Sequence, residues 1–191
     1  MNKHLLRYVL YFLPLPVFVL SLLLGPSASA GMGKILSWLF GQPDPELNEE
    51  LIKTILWDVR LPRVALTFLV GGSLAAAGNS LQALFRNPLV SPYILGLSSG
   101  AAFGAALAVT VAWLPIQLSA FVFGGIAVGL SYFLGRSRKT VSVVSLILSG
   151  VIVTGIFTAL LTVIQFLTDP FKLQTIVHWT MGNLHNASWD K

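Results

Sequence analysis

Residues 57–106 read WDVRLPRVALTFLVGGSLAAAGNSLQALFRNPLVSPYILGLSSGAAFGAA, two apolar runs of helical length joined by a polar turn at Arg86, Asn87 and Pro88. The hydrocarbon core of a bilayer is about 30 Å thick, so a helix needs about 20 apolar residues to cross it. Pro88 disfavours a helical conformation at Asn87 and so ends the first run. The stretch therefore predicts two membrane-spanning helices joined by a short loop.

The whole chain has the composition of a membrane protein. Of its 191 residues, 55% are hydrophobic and 10% are charged, with a mean hydropathy of +0.80. Charged residues are too few to cover the surface of a water-soluble domain of this length. The absence of cysteine excludes disulfides, thiolate metal sites and cysteine catalysis. The net charge of +5 comes without a basic run interleaved with aromatic residues, which argues against a nucleic-acid partner.

Five apolar stretches are long enough, or nearly so, to cross a bilayer, and they predict an all-α fold: a polytopic transmembrane helical bundle in a single domain over residues 1–191. The predicted spans are 8–24, 61–84, 92–113, 116–134 and 141–167. None of them carries an ionisable residue near its middle. Proton-coupled carriers and intramembrane proteases place such residues at depth, so the pattern favours a path that is driven from outside the chain.

The first span has a second interpretation. Lys3 and Arg7, the apolar run and the sequence Ala28-Ser29-Ala30 together resemble a secretory signal with its cleavage site. The run is longer than a usual signal core, contains two prolines and precedes four further spans. We therefore expect it to remain as an anchored helix.

The charge distribution predicts a cytoplasmic N-terminus. Lysine and arginine divide six and six between the two sides, so their number alone does not decide the orientation; the inner six favour it because they lie in short loops without acidic residues. The inner six are Lys3, Arg7, Arg86, Arg136, Arg138 and Lys139, and all seven acidic residues fall on the opposite, external side. The external segment covers residues 25–57 and contains a predicted amphipathic helix over 45–57, capped by Asp44, that lies along the membrane surface. Residues 34–40, which include Trp38 and Phe40, are expected to lie at the headgroup level too.

Small residues recur at intervals that allow helices to approach closely. They are Gly96, Gly100 and Gly104; Gly125 and Gly129; and the flank Gly71, Gly72, Ala75, Ala76 and Gly78 of the second span. Their spacing matches neither a G-x-G-x-x-G nor a G-x-x-x-x-G-K-[ST] phosphate loop, so we expect no nucleotide site.

Three short motifs coincide in the central stretch: R-L-P-R at 60–63, Q-A-L-F-R-N-P-L at 82–89 and L-G-L-S-S-G-A-A at 95–102. Together they resemble the FecCD/BtuC-like permeases, the membrane subunits of ABC importers for iron-siderophore, haem and cobalamin-type substrates. The resemblance implies a ten-span fold, of which the five spans here would be the first half, in a bacterial or archaeal cytoplasmic membrane. It also implies three partners: a separate ABC ATPase subunit, a periplasmic or lipid-anchored substrate-binding protein, and a second permease copy in a homodimer.

Arg60 and Arg63 are the sharpest site candidates, because they lie at the external end of the second span against the usual preference of arginine. The resemblance implies that they form salt bridges with glutamates of the binding protein. Paired guanidiniums at an aqueous rim would attract a carboxylate-bearing partner and fix its register. The alternatives are interfacial snorkelling and a local ion pair with Asp58.

The resemblance also implies a cytoplasmic gate and a translocation path. The gate residues would be Asn87 and Leu89 after the second span, with Ser142 and Val143 at the start of the fifth. A plain tight connection between helices explains Asn87 equally well. The path residues would be Ser149, Gly150 and Thr154, although hydroxyl groups of this kind also bond across ordinary helix interfaces.

No catalytic, cofactor or metal site is expected, because His178, His185 and Asp190 match no strong metal-ligand spacing. The predicted role is a permease subunit, not an enzyme. The alternatives are a secondary transporter or channel subunit without an ATPase partner, and a membrane-embedded enzyme. The sequence ends at Lys191, where the sixth span of the resembled fold would begin, so the resemblance implies an N-terminal portion that needs a C-terminal half to couple to an ATPase.

Overall fold

The computed structural model describes residues 3–25, 31–41, 48–112, 114–137, 140–184 and 187–189, and they are almost entirely helical. The α-helices are α1 Lys3–Phe12, α2 Pro14–Leu23, α3 Met32–Leu39, α4 Glu49–Thr54, α5 Leu61–Phe85, α6 Leu97–Val111, α7 Ile116–Gly135, α8 Val143–Leu167 and α9 Pro170–Met181. A π-helical segment, Ile55–Arg60, joins α4 to α5, and a 3₁₀ turn, Pro92–Leu95, precedes α6. Two-residue strands, β1 Arg136–Ser137 and β2 Thr140–Val141, pair antiparallel between α7 and α8.

The predicted all-α polytopic fold is confirmed, and each of the five predicted spans corresponds to helix. In the described part of the chain, three helices are long and apolar enough to cross a bilayer: Glu49–Phe85, Ile116–Gly135 and Val143–Leu167. The first and third predicted spans contain shorter apolar helices, Arg7–Leu23 and Leu97–Val111.

The chain divides into two compact units. The first comprises residues 1–73 and 184–191, and the second comprises Leu74–Asn183. In the first unit, Ile35 of α3 and Ile52 of α4 are each 1% exposed and pack with Leu23, Trp38 and Ile55. This cluster fixes the short helices α3 and α4 beside the end of α2.

The second predicted span differs from the structure at its start, because the described residues of the predicted surface helix are continuous with it. The helix begins at Glu49, with the Asn48 side chain accepting from the backbone N–H of Leu51 at 3.1 Å, and continues for 37 residues to Phe85. The predicted cap Asp44 lies outside the described residues. A helix of this length is about 55 Å long, so its charged first turns reach beyond a hydrocarbon core of about 30 Å.

Pro62 explains the π-helical segment. A proline inside an α-helix has no N–H to donate, and its ring clashes with the carbonyl four residues earlier, here Asp58. The helix widens instead, so that the backbone N–H of Leu61 donates to Leu56, five residues back. Pro62 therefore lies within a continuous helix.

In the second unit, α6, α7 and α8 pack around a small aromatic core. Phe103 of α6 meets Phe123 of α7 edge to face, with ring centroids 5.1 Å apart, and Phe157 of α8 at 5.5 Å. Ala127 and Val153 are buried in the same cluster. Because these are the residues that face inward, the remaining apolar surfaces of α7 and α8 point away from the unit.

The third predicted span, 92–113, is helical over less of its length than expected. Gly96 has a φ of +78°, the left-handed conformation that favours glycine, and it separates the 3₁₀ turn from α6. The position is also crowded, since a Cβ atom there would lie 3.1 Å from Cγ1 of Val153. Helix α6 therefore has 15 residues, about 22 Å, which is shorter than the hydrocarbon core. Trp113 lies outside the described residues.

The glycine predictions hold on α6 and fail on α7. A Cβ atom at Gly100 would lie 2.6 Å from that of Ala127, and one at Gly104 would lie 2.5 Å from the carbonyl oxygen of Ser119, so both glycines allow α6 and α7 to touch. Gly125 and Gly129 instead face open space within the described chain, as do Gly71 and Gly72 of α5.

We expect Gly104→Ala to lower the free energy of unfolding by about 1–3 kcal/mol, the usual effect of overpacking a close contact. Gly129→Ala is the matched control, because its methyl group would meet open space. The temperature at which each variant loses its monodisperse gel-filtration peak in detergent measures the difference. Equal temperatures for the two variants would contradict the observed helix contact.

Candidate functional site

Arg60, the first of the two candidate docking residues, points into the protein. Its side chain is 8% exposed, and one guanidinium nitrogen donates to the carbonyl oxygens of Leu22 at 2.8 Å and Leu23 at 3.1 Å. The last carbonyls of a helix have no partner within the helix and carry its negative dipole end. Arg60 therefore caps the C-terminus of α2 with charge-assisted hydrogen bonds.

Gly25 provides the space that the Arg60 guanidinium occupies. A Cβ atom at this position would lie 2.5 Å from Cζ and 2.9 Å from Nε of Arg60, and closer still to Nη2. No sequence pattern singled out Gly25. Its role depends on a side chain that lies 35 positions later in the sequence.

Arg63, the second candidate, is partly buried at the start of α5. Its Nε atom is enclosed and has no hydrogen-bond partner among the described residues. The alternative of a local ion pair with Asp58 finds no support, since no such pair forms within the described part of the chain. The two arginines of the R-L-P-R motif thus have different surroundings.

The carbonyl of Trp57 shows a second consequence of Pro62. In the π-helical segment its natural donor would be the backbone N–H five residues later, which Pro62 lacks. The indole Nε1 of Trp189 donates to this oxygen at 2.8 Å instead, and the two indole rings lie 6.3 Å apart. This bond ties residue 189 to the start of the long helix, and sequence reasoning missed it.

The first half of the predicted gate is a tight turn after α5. Arg86 has a φ of +49°, and the side chain of Asn87 accepts from the backbone N–H of Leu89 at 3.0 Å. Gln82 donates to the carbonyl of Val90 at 3.3 Å, which closes the turn. Leu89 is 89% exposed, so its side chain is available to a partner or to lipid.

The second half of the predicted gate is the start of α8. Ser142 is the N-cap of this helix, and its hydroxyl accepts from the backbone N–H of Ser145 at 3.0 Å. Val143 follows as an exposed first residue of the helix. Asn87 and Ser142 each bond within their own turn, so the assignment of these four residues to a gate stays a prediction.

The predicted path residues lie where α8 contacts other elements of its unit. The hydroxyl of Ser149 is buried and donates to the carbonyl of Ser131 on α7 at 2.6 Å. A Cβ atom at Gly150 would collide with the carbonyl oxygen of Ile94 in the 3₁₀ turn. Thr154 is partly buried beside Gly96. These contacts give Ser149 and Gly150 a packing role, and a role in a path remains to be tested.

No group of metal ligands forms among the described residues, which include His178. The other two candidates, His185 and Asp190, lie outside them.

Comparison with known proteins adds a family to this geometry. The model of the FecCD transport family matches residues 13–191. A Helicobacter pylori protein named as a probable iron chelatin transport system permease is 44% identical over 144 residues, covering 74% of this chain and 44% of its own length.

Other relatives have different names. A Haemophilus influenzae protein named as the molybdate import system permease MolB is 39% identical, covering 72% of this chain and 42% of its own length. The cobalamin import system permease BtuC of Halobacterium salinarum is 36% identical, covering 73% of this chain and 38% of its own length. The matched part is thus less than half of each of these relatives.

A solved structure described as an inward-facing conformation of a metal-chelate type ABC transporter has the same fold. It superposes with a TM-score of 0.77 at 33% sequence identity, covering 96% of this chain and 55% of that one. The likeness thus extends over nearly all of the chain.

We expect Ser149→Ala to lower the free energy of unfolding by about 1 kcal/mol, because it removes a buried hydrogen bond between α7 and α8. Thr162→Ala is the control, since the exposed Thr162 hydroxyl bonds only to its own helix, and it should change stability by less than about 0.5 kcal/mol. Thermal unfolding in detergent measures both. A wild-type stability for Ser149→Ala would show that this serine is not held as the structure indicates.

Proposed function

Since this chain belongs to the FecCD transport family, we propose that it is a membrane-spanning permease part of a binding-protein-dependent ABC importer. Its substrate class is an iron chelate, such as a ferric siderophore or haem, or a cobalamin-like molecule. The substrate crosses a bacterial or archaeal cytoplasmic membrane. A separate ATPase subunit supplies the energy, and a substrate-binding protein delivers the cargo.

The absence of ionisable side chains from the helix interiors is the observation that carries this proposal. Helices α6, α7 and α8 contain no Asp, Glu, Lys, Arg or His, and in α5 the only one is Arg63, near its start. A proton-coupled carrier needs such groups at depth to bind and release protons. The middle of each of these helices has none, which supports a driving force from a partner over a secondary transporter.

The external face in this proposal is the end of the long helix that carries Glu49 to Arg63. With the N-terminus in the cytoplasm, this end faces the binding protein, and the turn at Asn87 and Leu89 faces the ATPase. The charges support the assignment, because Arg86 and Arg136 belong to short loops without acidic residues. The gate at Asn87, Leu89, Ser142 and Val143, the path at Ser149, Gly150 and Thr154, and a homodimeric assembly belong to the same proposal.

Substrate identity depends on the partner. The relatives are named for iron chelatin, molybdate and cobalamin transport, although they share much of their sequence with this chain. An apolar path without charged side chains offers little to select among such cargoes. We therefore assign the choice of substrate to the binding protein.

The proposed orientation can be tested with single cysteines, because the chain has none of its own. We expect Lys53→Cys, at a position whose native side chain is 61% exposed, to react with a membrane-impermeant maleimide in intact cells. Arg136→Cys should react only after the membrane is permeabilised. Labelling of Arg136→Cys alone in intact cells would invert the proposal.

The docking role can be tested by binding measurements on nanodiscs that carry the protein. The probe is a purified substrate-binding protein from the same organism, loaded in turn with a ferric siderophore, haem and cobalamin. We expect Arg63→Glu to weaken its docking at least about tenfold, since a salt bridge becomes a like-charge contact. Arg136→Glu, on the proposed cytoplasmic side, is the control and should dock normally.

Unchanged docking of Arg63→Glu would remove the arginine from the interface while leaving the family assignment intact. The driving force is tested in proteoliposomes that also contain the ATPase subunit and the C-terminal half of the permease that the resemblance implies. Uptake of the loaded cargo should require ATP, and uptake without ATP would favour the secondary transporter instead.

A further inference from the structure

We infer that the two arginines of the R-L-P-R motif have different functions: Arg60 is a positioning residue that holds the end of α2, and Arg63 is the cation offered to the partner. The inference rests on the docking role proposed above and specifies which side chain performs it. It also assigns a role to Gly25, which creates the space in which Arg60 is held.

Three observations place Arg60 in the scaffold. Its side chain is 8% exposed, its guanidinium bonds to the carbonyls of Leu22 and Leu23, and these carbonyls end a helix. At an apolar helix end the carbonyls need a donor, since water is scarce and an unbonded carbonyl is costly. With Arg60 8% exposed and its Nη1 bonded to both carbonyls, little of the guanidinium is accessible to a partner.

Gly25 makes this arrangement possible through space alone. Its backbone does not adopt the left-handed conformation that would require glycine, unlike Gly41, Gly96 and Gly182. What requires glycine is the guanidinium of Arg60, which lies where the Cβ atom of any other residue would be. Gly25→Ala should therefore displace Arg60 without straining the backbone.

Arg63 has the properties of a side chain that awaits a partner. It lies one helical turn after Arg60, and its backbone carbonyl accepts from the hydroxyl of Thr67 at 2.7 Å, so its main chain is fixed in the helix. Its guanidinium forms no hydrogen bond or ion pair within the described residues, and its Nε is enclosed. An enclosed donor without an acceptor carries a desolvation cost that an incoming carboxylate removes.

Chemical footprinting with phenylglyoxal, which reacts with accessible guanidinium groups, tests this division without any partner. The full chain in nanodiscs is treated briefly, and tandem mass spectrometry quantifies the adducts at Arg60 and Arg63. We expect Arg60 to react at least about tenfold more slowly, because it must first break two charge-assisted hydrogen bonds. Equal rates in the wild-type protein would overturn the inference.

Two glycine variants provide a matched comparison. In Gly25→Ala, the reaction rate of Arg60 should rise towards that of Arg63, because the new methyl group displaces the guanidinium. In Gly33→Ala, where the methyl group meets open space in the same unit, both rates should stay at their wild-type values. An Arg60 that stays protected in Gly25→Ala would contradict the proposed role of Gly25.

Docking measurements then separate the two arginines. Arg60→Lys keeps a donor for the carbonyls of Leu22 and Leu23, so this variant should dock the binding protein like wild type. Arg63→Lys should dock less tightly, because lysine cannot form a bidentate contact with a carboxylate. If the footprint is as expected but every Arg63 variant docks normally, the docking proposal fails and the positioning role of Arg60 stands. If Arg60→Lys docks as poorly as Arg63→Lys, the division of roles fails.

Discussion

The backbone carbonyl is the group on which this structure most depends. In a hydrocarbon environment no water is present to bond a free carbonyl. The carbonyls at each helix end and in each irregular turn therefore need a donor from the protein. Several of the observed bonds between separate elements meet this need. Arg60 donates to Leu22 and Leu23, Trp189 to Trp57, Ser131 to Leu95 and Lys172 to Thr110, and every acceptor is a main-chain oxygen.

The same constraint explains why helix position was predictable and helix ends were not. Hydropathy predicted helix in five places and the structure has helix in each of them; among the described residues, three of these helices are long and apolar enough to cross a bilayer. The predicted helix ends are wrong where tertiary contacts determine the local backbone conformation. Pro62 is accommodated inside a helix because the turn before it widens. The carbonyl of Trp57, which this leaves without a backbone donor, accepts from the indole of Trp189. Gly96 interrupts the third span because α8 packs directly against it.

The predicted sites show a similar division. The motifs correctly indicated which residues are unusual, since an arginine at a membrane-span entrance and an Asn-Pro turn both need special surroundings. They could not indicate which way a side chain points. Arg60 and Arg63 share a motif and a helix face, yet the first turns inward, where Gly25 leaves space for its guanidinium and the carbonyls of Leu22 and Leu23 accept from it. Spacing likewise favoured Gly125 and Gly129, whereas Gly124 is the glycine that faces Leu97 of α6.

The 3₁₀ turn is a piece of irregular backbone in the second unit that neighbouring helices hold by direct contact. The 3₁₀ turn at Pro92–Leu95 packs its Ile94 carbonyl against Gly150, and its Leu95 carbonyl accepts from Ser131 at 2.9 Å. Ser149 in turn bonds to the carbonyl of Ser131, so one chain of hydroxyl groups joins the turn, α7 and α8. Moving α8 away from α7 would break the bond from Ser149 to the carbonyl of Ser131 and leave the Ser149 hydroxyl with only its bond to Leu146 in its own helix. In a buried, apolar setting that loss opposes separation of the two helices.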